Sequence, residues 1–186
     1  MSMALTLPGM HTPAAGFDEP FEVLAGCHER VRRSLALLQR VADHLASHTP
    51  DTRARDAAGD VLRYFERAAP AHHEDEERHV LPLLRSSGEP ALEAAATRLL
   101  ADHEAIRSSW AALRPLLQDA ADGRCSDFGA LKSAAVRFEQ VHDGHLELED
   151  SLAFPAAARL HPRPRDMGRE MALRRGVAMP AEIISR

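Results

Sequence analysis

Four histidines, His28, His72, His103 and His145, each interrupt an otherwise apolar helical stripe, and two are followed four residues later by a glutamate, as His72–Glu76 and His145–Glu149. Residues i and i+4 lie one turn apart on the same helix face, so each pair can reach one ion. A lone histidine on an apolar face is ordinarily a core residue with a satisfied ring. Four of them with two carboxylates in one layer would destabilise a core unless they served each other or a metal. Two ions bridged by Glu76 and Glu149, with two histidines on each, satisfy every member and leave coordination positions open. Imidazole and carboxylate donors favour iron, manganese or zinc; no thiolate shares the layer, which argues against a structural zinc site.

The layer is duplicated within the chain. Cys27-His28-Glu29-Arg30-Val31-Arg32 parallels Asp102-His103-Glu104-Ala105-Ile106-Arg107 at an offset of 75. Phe65-Glu66, His72, Glu76, Glu77 and Pro82 parallel Phe138-Glu139, His145, Glu149, Asp150 and Pro155 at an offset of 73. Such a repeat of one helical hairpin predicts a pseudo-twofold axis that brings equivalent residues face to face.

Four long helices must position these residues. The first starts at Asp18-Glu19-Pro20 and ends before Thr49-Pro50, with the stripe Phe21, Leu24, Val31, Leu35, Leu38, Ala42, Leu45. The second runs from Asp51 to Ser86-Ser87-Gly88 with Val61, Phe65, Ala68, Val80, Leu83. The third runs from Glu89-Pro90 to Asp122-Gly123 with Leu92, Ala96, Leu99, Ile106, Trp110, Leu113, Leu117. The fourth follows the cap pair Ser126-Asp127 with Leu131, Ala135, Phe138, Val141, Leu152, Ala156. Apolar spacings of three and four and short connections predict an all-α fold, an up-down-up-down antiparallel four-helix bundle. Residues 1–17 read as an N-terminal extension, 18–160 as the bundle, and 161–186 as an Arg-rich tail with a short helix at Asp166–Arg174. Interior prolines at Pro70, Pro82, Pro115 and Pro155 predict kinks.

With these residues in place, the chain resembles the hemerythrin-like family, the HHE cation-binding domain. The resemblance rests on His28-Glu29, on His103-Glu104, on His72-His73-Glu74-Asp75-Glu76-Glu77 leading to Leu81-Pro82, and on His145-Leu146-Glu147-Leu148-Glu149-Asp150 leading to Phe154-Pro155. It covers roughly residues 18–160 and implies a bundle around a non-haem di-iron centre. Carried over by position, the metal ligands are His28, His72, Glu76, His103, His145 and Glu149, the same six that the stripes and the repeat select. Oxygen-carrying members have a second histidine four residues after the helix-three histidine, where this chain has Arg107, and that argues against reversible oxygen carriage. They also pair histidine with aspartate five residues on, so Asp150 competes with Glu149; symmetry with His72–Glu76 favours Glu149.

Other residues read as lesser candidates. His73, His79 and His142 flank the layer and read as surface or supporting residues, with His142 the reserve ligand or proton carrier. Glu29, Glu104, Arg32 and Arg107 read as solvated face residues, with Arg107 able to pair with a site carboxylate. Cys27 reads as a small helix residue, and His11, His44, His48 and His161 as surface.

Composition bounds the function. The 186 residues are 45% hydrophobic and 27% charged, a balance that fits a folded domain. A net charge of −5 speaks against a nucleic-acid footprint spread over the domain. No apolar run is long enough for a membrane span. The N-terminus has no basic residue ahead of its short apolar run and reads as no secretory signal. Two cysteines point to a reducing, cytoplasmic setting. Three functional readings follow. The first is a di-iron module binding or sensing dioxygen, peroxide, nitric oxide or iron. The second is a di-metal oxidoreductase consuming peroxide or activating oxygen, and the third a bundle with structural metal. The expected partner is a small diatomic or peroxide ligand, with a homodimer or a protein contact through the tail as the macromolecular alternative.

Overall fold

The computed structural model describes residues 16–48, 50–161 and 164–177, and among these the regular structure is helical throughout. Helix α1 spans Pro20–Ser47, α2 Thr52–Asp75, α3 Leu81–Arg85, α4 Pro90–Ala121, α5 Phe128–Leu148, α6 Phe154–Leu160 and α7 Arg165–Arg174. Proline opens α1 and α4, where its missing N–H costs no helical hydrogen bond. The Asp51 and Asp127 carboxylates accept the N–H groups of Ala54 and Ala130, both at 2.8 Å, and so cap α2 and α5. Gly123, at φ +72°, closes the end of α4 in the left-handed conformation that glycine adopts without strain.

Helices α1 and α4 each pack against both α2 and α5, so consecutive long helices are neighbours around a closed square, as up-down-up-down winding requires. Apolar side chains form two clusters. One contains Leu38, Phe65, Leu113 and Phe138; the other contains Leu24, Leu81, Leu99 and Met171. On α1 and α4 the layer histidine lies between residues of the two clusters, and past α2 and α5 the second cluster's buried residues begin at Val80 and Ala153. Fully burying a leucine contributes roughly 1.5–3 kcal/mol, so the stripes can offset a polar layer between them.

Two of the four expected kink sites differ from the other two. Helices α2 and α4 continue through Pro70 and Pro115. Ahead of Pro82 and Pro155 the chain instead widens into π-helical turns, Glu76–Val80 and Glu149–Ala153, which join α2 to α3 and α5 to α6. The Leu81 N–H reaches back five residues to the Glu76 carbonyl, and the Phe154 N–H to that of Glu149. Each wide turn holds one extra residue, so the buried stripe advances by one. Leu81 and Leu84 are buried where Leu83 was expected, and Ala153 where Leu152 was. A second slip is likewise shared by the halves: Ala69 and His142 are buried, whereas Ala68 is exposed and Val141 only half-buried.

The expected tail helix is α7, and it folds onto the bundle. Met167 and Met171 enter the second cluster, while Arg174 and Arg175 close on the fully buried Asp75 with N···O distances of 2.7 and 2.5 Å. His11, most of the 1–17 extension, Pro162 and residues 178–186 lie outside the described residues.

Candidate metal centre

The fold brings all six expected residues into one layer. His28 comes from α1, His72 from α2, His103 from α4 and His145 from α5, while Glu76 and Glu149 are the first residues of the two π-helical turns. Each of the six is at most 1% exposed. The Glu76 carboxylate spans the layer: Oε1 lies 2.9 Å from His72 Nε2 and 3.9 Å from His28 Nε2, and Oε2 lies 3.4 Å from His103 Nε2. Glu149 Oε2 lies 3.1 Å from His145 Nε2 and 3.2 Å from His28 Nε2. None of these Nε2 or carboxylate oxygen atoms has a hydrogen-bond partner of proper geometry, although all are buried. They converge on shared space instead of pairing off, which is how donors to a cation are arranged.

Two groups of donors could each hold an ion. One is His28, His72, Glu76 and Glu149; the other is His73, Glu76, His103 and His145, with the donor atoms of each group within 4.8 Å of one another. Glu76 belongs to both. His73, read from the sequence as a surface or supporting residue, is instead 8% exposed and stacks on His103 with ring centroids 4.3 Å apart. The sequence carried a signal for it: the row Phe65, Ala69, His73 runs at i, i+4, i+8 along one face. His142 is buried as well, and its Nδ1–H donates to the Phe138 carbonyl at 2.8 Å.

The histidines of α1 and α4 are oriented from behind by a matched device. His28 Nδ1 donates to Asp150 at 2.7 Å, and Asp150 in turn accepts from Arg32 at 2.5 Å. His103 Nδ1 donates to Glu77 at 2.8 Å, and Glu77 accepts from Arg107 at 3.1 Å. Both carboxylates directly follow a layer glutamate, and both arginines lie one turn after a layer histidine. Arg32 and Arg107 are therefore exposed at their heads, as the sequence reading had it, yet engaged. Asp150 faces the outer nitrogen of His28 and stands outside both donor groups. Such carboxylate–histidine pairs fix the ring orientation and leave Nε2 free to bind inward.

Electrostatics follow burial and pairing. Burial disfavours a charged His28 ring, but the facing Glu149 and Glu76 carboxylates outweigh it and raise its pKa to about 9. His72 is pushed well up against the same burial by the Glu76 charge. Glu76 is held well below the usual carboxylate range because the facing His72, His103 and His28 rings overcome its burial. Protons thus share the layer with the carboxylates, the position a cation would take. His73 moves the opposite way: burial drives its pKa well down, so the ring is neutral with lone-pair capacity to spare.

Comparison with known proteins agrees with this geometry. The family model described as the hemerythrin HHE cation binding domain matches residues 19–157. A protein of Haemophilus influenzae, described only as uncharacterized, is 33% identical over 138 residues, which cover 74% of this chain and 78% of that one. No described helix is long and apolar enough to cross a membrane.

Proposed function

Because the chain belongs to the hemerythrin HHE cation-binding family, we propose that its histidine–glutamate layer holds two iron ions and that the protein binds or senses a small ligand there, with dioxygen, peroxide and nitric oxide as the candidates. The carrying observation is Glu76, whose two oxygens face histidines of opposite halves. One carboxylate serving both donor groups is the arrangement of a bridged pair. The proposed ligands are His28, His72, Glu76, His103, His145 and Glu149, and His73 adds a third imidazole to the half of His103 and His145.

When bound, the iron pair supplies redox-active sites with positions open to a small molecule. The chain's own residues do the rest. Asp150 and Glu77 hold His28 and His103 in the tautomer that presents Nε2 inward. Arg32 and Arg107 hold those carboxylates ionised: burial would raise Asp150 and Glu77, yet both are kept below their ordinary range by bonds to arginine and histidine. A layer exposed by no more than 1% at any of the six residues excludes a bulky substrate. That favours binding or sensing over chemistry on a large molecule. The two free thiols, Cys27 and Cys125, suit a reducing compartment, which we take to be the cytoplasm.

The test is metal content and the optical spectrum of anaerobically purified protein, recorded before and after dioxygen and nitric oxide. Two iron ions per chain and a ligand-dependent spectral change are expected. A folded protein that takes up no metal would overturn the reading.

A further inference from the structure

A cavity of about 230 Å³ opens between α2 and α4 on one side of the layer. Its wall is aromatic: Phe65 lies 4.8 Å from Phe138 and 5.4 Å from Trp110 between ring centroids. The His73 ring reaches it from the layer side, and Glu74, Glu77 and Arg107 also line it. The equivalent face of the other half also carries a pocket, lined by Arg32, Asp143, Leu146, Glu147 and Asp150, but no aromatic ring lines it. Two departures from the internal repeat mark the difference. At the position equivalent to Ala69 the other half carries His142, whose ring packs 4.5 Å from Phe138. At the position equivalent to His73 it carries the buried Leu146.

We infer that this cavity is a binding site for one small, uncharged, largely apolar molecule of single-ring size or less, seated against Trp110 and reaching His73. Size supports this, since a cavity of about 150 Å³ is already large enough for benzene. Charge supports it too. Arg107 is already engaged by Glu77 and Glu104, and Glu74 is paired with Arg78 at 2.7 Å, so the one cation in the lining is not free for an anion. An anion would lose hydration without gaining a partner. The site is built by side chains of α2, α4 and α5 that lie outside the proposed ligand set, except for His73, so it should persist without metal.

Trp110 is the chain's one tryptophan and reports directly on the site. Bromobenzene, an uncharged single-ring molecule with a heavy-atom quencher, is titrated into the metal-loaded protein and again after chelation, with Trp110 emission as the readout. Quenching should saturate at one equivalent per chain in both states, at concentrations that leave free N-acetyltryptophanamide bright. Iodide should quench far less. Ala69→Leu fills the cavity and should weaken the bromobenzene midpoint by about tenfold or more. Ala68→Leu, on the exposed neighbouring position, should leave it unchanged. Linear, unsaturable quenching of the native protein would overturn the inference, as would iodide quenching as effective as bromobenzene or an unshifted midpoint in a folded Ala69→Leu. Should Ala69→Leu fail to fold, the contrast between bromobenzene and iodide on the native chain still decides. Because the chelated protein is measured too, loss of the metal reading alone leaves this result standing.

Discussion

The two helical hairpins of this bundle carry the same inward chemistry and different surroundings. His28 and His103, His72 and His145, Glu76 and Glu149, the outer carboxylates Asp150 and Glu77 and their arginines all recur at the repeat offsets, as do the two π-helical turns. The departures lie one contact away. His73 faces the layer where the other half has Leu146, Ala69 leaves space where the other half has His142, and Asp75, gripped by α7, stands where the other half has Leu148. A repeated hairpin supplies a symmetric pair of half-sites. Substitutions among the neighbours then make one half richer in imidazole, line its cavity with aromatic rings and brace it by α7, without touching the six layer residues.

If Glu76 joins both halves, its loss should be the most damaging single change. Glu76→Gln should abolish binding of both ions, because it belongs to each donor group. Glu149→Gln should weaken chiefly the ion of His28 and His72. Iron per chain by elemental analysis at saturating iron checks this, with Glu77→Gln, which removes no inward donor, as the neighbour that still loads. Equal losses in Glu76→Gln and Glu77→Gln would mean that the inward register is off by one residue.

Making the halves alike tests the asymmetry itself. His73→Leu copies the second half and should weaken one ion of the two, leaving a protein that loads about half its metal under limiting iron. Leu146→His, the reverse exchange, should leave the first ion's affinity unchanged or raise it. Stepwise iron titration distinguishes these outcomes, and two unperturbed steps in His73→Leu would remove that residue from the ligand set.

The outer pairs should behave symmetrically where the inner neighbours do not. Asp150→Asn and Glu77→Gln each deprive one histidine of its orienting carboxylate, a loss that ordinarily costs 10–100-fold in metal affinity. Competition against a chelator of known affinity should give similar losses for the two variants. A large effect of one alone would show that the matched geometry conceals unequal roles.

Sequence periodicity carried the bundle and the six layer residues because an apolar stripe with one polar break per helix leaves few alternative registers. It failed where a single residue decided. The stripe spacing favours Ala68 and Val141, equivalent positions, over Ala69 and His142, and so hides both His73's row and the burial of His142. The π-helical turns escaped for a different reason. Pro82 and Pro155 announce a disturbed helix, but so do Pro70 and Pro115, through which the helices continue. What distinguishes the first pair is the tertiary position of the layer glutamate that opens each wide turn, which local sequence does not encode. The salt bridge of Arg32 likewise depends on long-range pairing across the bundle, invisible to any one helix, whereas Arg107, expected to be able to reach a site carboxylate, pairs with Glu77 beside the layer.

The smallest expected effect concerns His142, the residue that stands where the first half has Ala69. Burial drives its ring down to about 4, while in the unfolded chain it titrates near 6.5. Between those values the unfolded state holds a proton that the folded state refuses, so stability falls as the pH drops through this window and is unaffected by His142 above it. For a ring this deeply buried the loss should reach about 2 kcal/mol on going from pH 7 to pH 5. His142→Gln can keep a donor near the Phe138 carbonyl and does not titrate. Urea unfolding of the native chain and of the variant, both free of metal, should therefore give curves that diverge with acidity. The native chain should lose about 2 kcal/mol more than the variant over that interval. Parallel losses would mean that His142 takes up its proton without unfolding, through relaxation of the aromatic layer around Phe65 and Phe138.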